Sequence, residues 1–257
     1  MKKKSLTIFA FILMVNILFT NSTLAHENKD NIVIEYYNTI EDLDEIAKKA
    51  QPLDSITGIG KIFSTVNGKE VITNGLVEKV KKITNKETGE EEIFYRLTAY
   101  SDVLKEEDYS TGEYIIMGTK SDDRYDNSLS VRGWVRAEYT STTSDKMSFS
   151  KVSKWEAKYS IADSSVTVSN PKVFVNGWGE TLSGKMIQDC SGWVCAGVEK
   201  TVPINSQNVW HSLYTPWANE YLMETTGFGQ QGGFVGTLKR PNGNSWTHEV
   251  KVNFGMQ

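Results

Sequence analysis

The stretch that decides the fold closes the chain: GFVGTLKRPNGNSWTHEVKVNF, residues 233–254. Apolar residues recur through Gly233–Leu238 and Trp246–Phe254, and the polar segment Pro241-Asn242-Gly243-Asn244 separates the two runs. β-branched and aromatic residues favour strands, whereas Pro, Asn and Gly favour turns. The stretch therefore predicts an antiparallel β-hairpin.

The same pattern extends upstream through residues 121–257. Further short strands are predicted at Ser130–Thr140, Lys146–Val152, Trp155–Ile161, Val166–Ser169 and Lys172–Val175. Regular strand spacing with little helical periodicity predicts an antiparallel β-sandwich or barrel. All 7 tryptophans of the chain fall in this part, so we expect a Trp-rich sandwich domain over residues 121–257.

Residues 26–120 form an acidic N-terminal region that the sequence predicts to be rich in hairpins, with one short helix. Apolar residues recur at near-helical spacing over residues 40–50, and Thr39 with Asp42 resembles a capping box. The predicted fold class is therefore mainly β, with one short N-terminal helix. The alternative for residues 26–52 is a pro-segment that is removed during maturation.

The clearest hairpin of this region has the strands Lys61–Val66 and Lys69–Thr73 around Asn67-Gly68, because Asn-Gly tolerates the positive φ angles of a tight turn. A second predicted hairpin pairs Leu76–Thr84 with Glu91–Tyr100. The remaining predictions are two short strands and an acidic loop: Ile32–Tyr36, Tyr114–Met117 and Val103–Tyr109.

The first 25 residues predict export. The basic start Lys2–Lys4 precedes the apolar run Leu6–Leu18, and Ala25 ends the small-residue pattern that a signal peptidase reads. The apolar run is too short to span a bilayer comfortably. We therefore expect a signal peptide cleaved after Ala25, a secreted product and no permanent membrane anchor.

The charge balance argues against a nucleic-acid partner. The 257-residue chain has 28 basic and 32 acidic residues, and removing the three presequence lysines leaves a net charge of −7. Phosphate backbones require clustered Lys and Arg. Residues 26–126 carry a net charge of −9 and residues 127–257 a net charge of +2, which favours a domain boundary near residue 120.

The two cysteines of the chain are Cys190 and Cys195. In an oxidising exterior they predict a local disulfide that closes a short loop. We expect no cofactor. The one metal candidate is calcium at an oxygen-rich loop that contains Asp122, Asp123 and Asp126.

Three segments of the C-terminal half carry a resemblance to known proteins: Asp123–Ser128, Trp134–Thr140 and Ser160–Asn170. They resemble segments of small secreted β-sandwich proteins of Gram-positive bacteria. The resemblance implies an all-β sandwich and carries over no functional residue.

Signals for catalysis are weak. Gly227–Gly232 matches the dinucleotide fingerprint, but a predicted strand follows instead of the helix whose N-terminus receives the pyrophosphate. His211 and His248 would be the bases of a secreted hydrolase, although no Gly-x-Ser-x-Gly elbow accompanies them. The acidic residues to examine for a glycosidase pair lie among the tryptophans: Glu180, Glu199, Glu220 and Glu224. We assign no catalytic residue, and the hydrolase stays an alternative.

Tryptophan placement gives the strongest functional signal. Four tryptophans fall outside clean strand alternation and are predicted to lie on loops: Trp178, Trp193, Trp210 and Trp217. An exposed indole stacks on the apolar face of a sugar ring or lies at a lipid interface. We therefore expect a non-catalytic binding protein whose partner is a glycan or another cell-surface component. A membrane-active toxin that inserts Ser141–Ser169 as a hairpin is the alternative, and the oligomeric state stays open.

Overall fold

The computed structural model describes residues 31–52, 62–66, 69–71, 74–104, 106–107, 114–115, 129–191, 194–225, 227–241, 243 and 245–255. Several predicted features lie outside these residues, namely the signal peptide, the Asn67-Gly68 turn, Trp193 and the calcium candidates Asp122, Asp123 and Asp126.

The described residues contain the helix α1 (Leu43–Lys49) and 19 strands. In chain order the strands are β1 (Ile32–Tyr36), β2 (Gln51–Pro52), β3 (Ile62–Val66), β4 (Lys69–Val71), β5 (Asn74–Asn85), β6 (Glu91–Leu104), β7 (Glu106–Glu107), β8 (Tyr114–Ile115), β9 (Leu129–Ser144), β10 (Met147–Ile161), β11 (Thr167–Glu180), β12 (Met186–Ile187), β13 (Asp189–Ser191), β14 (Val194–Ala196), β15 (Val198–Pro203), β16 (His211–Tyr214), β17 (Leu222–Glu224), β18 (Gly229–Lys239) and β19 (Ser245–Gly255).

The strands form two main antiparallel sheets. The larger sheet has 8 strands, with the order β1-β5-β6-β9-β10-β16, β2 beside β5 and β17 beside β10. The smaller sheet has 7 strands, with the order β12-β11-β18-β19-β3-β4 and β15 beside β11. The predicted fold class is therefore confirmed, including the closing hairpin, which is β18 and β19.

The chain divides into two compact units. Among the described residues, the smaller unit contains residues 31–35 and 82–92. Within it the Asn85 N–H donates to the Glu90 carbonyl at 2.9 Å, which closes the β5–β6 turn. The larger unit contains α1 and every residue of the candidate site described below.

The main hydrophobic core lies between the two sheets. The larger sheet contributes buried residues of β6, β9 and β10, and the smaller sheet contributes buried residues of β11, β18 and β19. The largest of these side chains include Trp155 of β10, Phe234 of β18 and Phe254 of β19. Because alternate residues of a strand point to opposite faces, the same strands also present a second set of side chains away from this core.

Some predicted breaks between strands are wrong. The predicted strands Lys146–Val152 and Trp155–Ile161 are one strand, β10, with a register shift between Val152 and Lys154. Val166–Ser169 and Lys172–Val175 likewise fall mostly within β11. Here a bulge between Ser169 and Lys172 accommodates Asn170, which has a φ of 52°, and Pro171, which has no N–H to donate.

The N-terminal predictions are confirmed in outline and corrected in detail. The helix exists, but its N-cap is Asp42 rather than Thr39, because the Asp42 carboxylate accepts the N–H groups of Asp44 and Glu45 at 2.8 and 3.1 Å. The predicted acidic loop Val103–Tyr109 instead contains the end of β6 and the strand β7. Backbone pairing satisfies the peptide groups there whatever the side-chain charge.

Strands from both sides of the compositional boundary pair within the larger sheet, since β6 pairs with β9. No helix among the described residues has the length and apolar character needed to cross a membrane.

Candidate binding face of the larger sheet

We call the side of the larger sheet opposite the main core the outer face. On β9 Val135 and Ala137 point into the core, so Trp134 and Arg136 point outwards. By the same alternation, three adjacent strands contribute to this face: Arg96, Thr98 and Tyr100 of β6, Arg132, Trp134, Arg136 and Glu138 of β9, and Lys154, Glu156 and Lys158 of β10.

Helix α1 packs on the apolar part of the outer face. Ile46 is fully buried and forms a second hydrophobic cluster with Tyr100 and Trp134, whose rings are tilted with centroids 4.8 Å apart. The Tyr100 hydroxyl lies 3.5 Å from the Ala47 carbonyl oxygen. Burial raises the pKa of Tyr100, and the charge of Asp102 acts in the same direction. The phenol therefore stays protonated and able to donate.

Beside the helix lies a group of charged side chains that we call the charged cluster: Glu41, Arg96, Arg136, Glu138 and Glu156. Arg96 pairs with Glu41 and, at 3.4 Å, with Glu138. Arg136 Nη2 lies 3.3 Å from Glu41 Oε2, and Arg136 Nη1 lies 3.8 Å from Glu156 Oε2. The side chain of Arg136 is 6% exposed and that of Glu41 is 63% exposed. Buried guanidinium groups are thus paired with a carboxylate that reaches into solvent.

Glu156 is held firmly within the charged cluster. Ser212 Oγ donates to Glu156 Oε1 at 2.9 Å, and Lys154 Nζ lies 3.3 Å from the same oxygen. Ser212 and Glu156 face each other across β16 and β10. The antiparallel register therefore fixes this carboxylate in position.

The electrostatics of the charged cluster reflect burial and like charge. Burial lowers the pKa of Arg136, the nearby Arg96 charge acts in the same direction, and Glu41 and Glu156 oppose them. For Glu41, partial burial raises the pKa, but the hydrogen bond from Arg96 and the charges of Arg136 and Arg96 outweigh it, so the net pKa is lowered. Glu41 is therefore held as a carboxylate by two arginines.

Trp210 adjoins the charged cluster. The Arg136 guanidinium carbon lies 4.4 Å from the centroid of the indole, and Lys158 Nζ lies 5.9 Å from it. The indole is partly exposed. The Asn208 N–H donates to the Tyr159 carbonyl at 2.8 Å, which anchors the preceding loop to β10. That loop exposes three amide side chains and one apolar side chain, those of Asn205, Gln207, Asn208 and Val209.

Two of the other candidate tryptophans lie elsewhere than the sequence predicted. Trp178 is part of β11 rather than a loop, and it is only partly exposed. Trp217 lies in a turn but is 3% exposed, and its Nε1 donates to Gln230 Oε1 at 3.0 Å. A Cβ on Gly177 would come within 2.3 Å of the Trp217 ring, so this glycine makes room for the indole in the core. Of the candidate tryptophans that the structure describes, Trp178, Trp210 and Trp217 therefore do not share one exposed surface.

The residues considered for catalysis do not form one site. His248 is fully buried, and neither ring nitrogen has a hydrogen-bond partner. Ser206 Oγ lies 3.4 Å from His211 Nε2, and among the described residues no carboxylate orients that imidazole. Of the four acidic candidates, Glu220 accepts from Ser183 at 3.2 Å. Burial raises the pKa of Glu224, against a hydrogen bond from Ser150. In the described part of the chain, no group of three or more His, Cys, Asp or Glu side chains is placed to hold a metal ion.

The backbone pairs Cys190 directly with Cys195 across β13 and β14. Facing residues of antiparallel strands have Cα atoms about 4.5–5.5 Å apart, which is within the range that a disulfide spans. The register is thus compatible with the predicted disulfide, which stays a prediction.

No protein-family model matches the chain, and no curated protein matches it. The charged cluster was not predicted from the sequence. Its signal is the alternation Arg132-Gly133-Trp134-Val135-Arg136-Ala137-Glu138, in which charged and aromatic residues occupy every second position of a long strand. Such a pattern places charges and rings together on one side of a sheet.

Proposed function

We propose that this chain is an exported, non-catalytic binding protein that takes a saccharide at Trp210 on the outer face. The observation that carries this proposal is the partly exposed indole of Trp210, which lies beside a loop that exposes Asn205, Gln207 and Asn208. Carbohydrate recognition combines an aromatic surface for the C–H face of a sugar with polar groups for its hydroxyls. Trp210 and its loop supply both.

The environment of the indole supports this use. Arg136 packs against Trp210 at 4.4 Å, and a cation held against a ring restricts its movement. The neighbouring loop is anchored at Asn208. A ligand would therefore meet a ring and a loop backbone that are already held in place, and less conformational entropy would be lost on binding.

Export and the disulfide belong to the same proposal. Their support is the pattern of residues 1–25 and the facing positions of Cys190 and Cys195. Intact mass of the product recovered from the culture medium tests both. We expect a chain that begins at His26 and is lighter than the reduced form by two hydrogen atoms.

The binding test titrates the full secreted chain with cellotetraose, chitotetraose, tetragalacturonate and fully methyl-esterified tetragalacturonate, followed by calorimetry. We expect at least one of these to bind, and Trp210→Ala to weaken it by about tenfold through loss of stacking. Trp178→Ala is the matched control, because Trp178 is also partly exposed but belongs to the smaller sheet.

Two results would overturn the proposal: no binding of any of the four saccharides, or equal binding by the wild type and Trp210→Ala. Dye release from liposomes in the absence of saccharide binding would favour the membrane-active alternative.

A further inference from the structure

Strand β1, at one edge of the larger sheet, exposes apolar side chains. Ile34 is 47% exposed and Tyr36 is 76% exposed. Because alternate residues of a strand share a face, Ile32, Ile34 and Tyr36 form what we call the apolar row. β1 is the last strand of its sheet, and in the described part of the chain no strand pairs with its other side. A free edge that carries such a row is a template for a further strand.

Two edge strands of the smaller sheet differ from β1 in their charge. Strand β4 carries Lys69 and Glu70, and strand β15 carries Glu199 and Lys200. Charged side chains, lysine above all, keep a free edge from pairing with another chain. Strand β1 contains no lysine, and its single charged residue, Glu35, lies on the face opposite the apolar row. The edge formed by β1 therefore lacks this protection.

The backbone of β1 directs the peptide groups of alternate residues outward. The Tyr37 N–H donates to the Val80 carbonyl at 3.0 Å, and the Lys86 N–H donates to the Asn31 carbonyl at 2.8 Å. Both hydrogen bonds fit a single antiparallel register between β1 and β5. Odd-numbered residues of this segment therefore bond to β5. The N–H and C=O groups of the apolar row, whose residues are even-numbered, point away from the sheet.

We propose that β1 pairs with β1 of a second copy of this chain, in a two-fold antiparallel arrangement centred on Ile34. Ile34 then faces Ile34 of the second copy and Ile32 faces Tyr36, so every residue of the apolar row exchanges its N–H and C=O bonds. β-branched and aromatic residues are favourable cross-strand partners. Glu35 faces Val33, whereas a register centred on Glu35 would place two carboxylates opposite each other. Because β1 is complementary to itself, the partner that it fits is a second copy.

The proposed dimer has a short interface, since β1 has 5 residues. Interfaces this small are weak, so the full secreted chain should be monomeric at about 1 µM and increasingly dimeric towards roughly 500 µM. Sedimentation velocity measures this change as a rise from the mass of one chain towards twice that mass. The inference does not depend on the proposed function, because Trp210 is not part of β1.

Charge substitutions at Ile34 test the two-fold centre. Ile34→Lys and Ile34→Glu each place like charges opposite one another, so each variant alone should associate at least about tenfold more weakly than the wild type. Mixed together, the two variants place unlike charges opposite one another, and association should return to within about threefold of the wild type. Because Ile34 is already 47% exposed, neither substitution should unfold the chain, and urea denaturation checks this.

Tyr214→Lys is the matched control. Tyr214 is 64% exposed and belongs to β16, at the opposite end of the strand order of the same sheet, so this variant should associate as the wild type does. A wild type that stays monomeric up to the highest concentration would overturn the inference and leave the edge to a strand of another protein. Loss of association in Tyr214→Lys would also overturn it, as would a mixture of the two Ile34 variants that associates no better than each alone. Saccharide binding by a purely monomeric chain would leave the proposed function standing.

Discussion

The two faces of the larger sheet bury their residues for different reasons. On the inner face Val135, Trp155 and Ala157 are 0% exposed and pack against the smaller sheet. On the outer face, the same two strands bury Arg136 and Glu156 almost as completely, at 5% and 9% exposed. Apolar side chains need only be removed from water, whereas charged side chains also need partners in the right direction.

The inner and outer faces of the larger sheet therefore contribute differently to the stability of the protein. Burial on the inner face is nondirectional and contributes to the free energy of unfolding. On the outer face, the burial of Arg136 depends on partners in fixed directions, namely Glu41 at 3.3 Å, Glu156 at 3.8 Å and the ring of Trp210. Substitutions on each face should therefore differ in how much they destabilise the protein.

The inner face should show the largest effect. Trp155 is fully buried, packs edge-on against Phe254 with centroids 5.9 Å apart, and covers Gly232 so closely that a Cβ there would be 2.4 Å from the ring. We expect Trp155→Ala to lower the free energy of unfolding by roughly 3–5 kcal/mol, measured by urea denaturation. A loss no greater than that of Trp178→Ala would contradict the placement of Trp155 in the core.

His248, a buried residue of β19 in the smaller sheet, should make the core between the two sheets sensitive to acid. Burial lowers its pKa from 6.5 to about 4, and its ring lies edge-on to Phe234. The unfolded chain takes up this proton near pH 6.5, whereas the folded chain does so only near pH 4. Its contribution to stability is therefore complete above pH 6.5, declines between pH 6.5 and 4, and amounts to about 3 kcal/mol.

Urea denaturation measures the free energy of unfolding of the wild type and of His248→Leu at several pH values across that range, and the difference between the two proteins is followed. The variant should lose less stability on acidification, because it has no proton to bind, and no hydrogen bond of the imidazole is sacrificed. Other groups also change stability with pH, among them Glu224, whose pKa is raised by burial. Because these groups are present in both proteins, their contributions cancel in the difference. Parallel pH profiles would show that His248 does not titrate differently on unfolding.

Local patterns in the sequence predicted many of the individual strands and the helix. Alternating apolar residues in residues 233–254 predicted β18 and β19, and the periodicity before Pro52 predicted α1. Such patterns involve residues that are close in the chain, and the side-chain periods of strands and helices are therefore visible in the sequence. The errors arose where a local turn signal was overridden. Asn170-Pro171 predicted a break between two strands, but β11 runs through both positions.

The outer face was much harder to predict, for a physical reason. The charged cluster joins Glu41, Arg96 and Arg136 from three separate segments, and Glu41 and Arg96 are 55 residues apart in the chain. No local periodicity in the sequence indicates that residues so far apart in the chain lie close together in the fold. Gly177 shows the same limit, because its role is to admit the ring of Trp217 from another part of the chain. Trp210 was selected as a loop residue, but its arginine neighbour was not foreseen.

A substitution that loosens the helix on the outer face should destabilise the protein less than a core substitution, and its effect should be confined to the helix. Ile46 is fully buried against Tyr100 and Trp134. We expect Ile46→Ala to destabilise the docked helix by about 2 kcal/mol. By hydrogen exchange, the Ala50 amide, which donates to the Ile46 carbonyl, should lose protection while amides of β9 and β10 keep theirs. Equal loss of protection throughout would mean that helix and sheets unfold as one unit.

The smallest effect should come from an ion pair at the helix surface. Lys49 Nζ lies 2.8 Å from Glu45 Oε1, but the two side chains are 54% and 51% exposed, so Lys49→Ala should change helix stability by less than about 0.5 kcal/mol. Asp42→Ala should cost more, about 1 kcal/mol, because the Asp42 carboxylate satisfies two backbone N–H groups that no helical carbonyl reaches. Hydrogen exchange of the helix amides measures both. If Lys49→Ala had the larger effect, the exposed ion pair would contribute more to the stability of the helix than the two backbone donors that Asp42 satisfies.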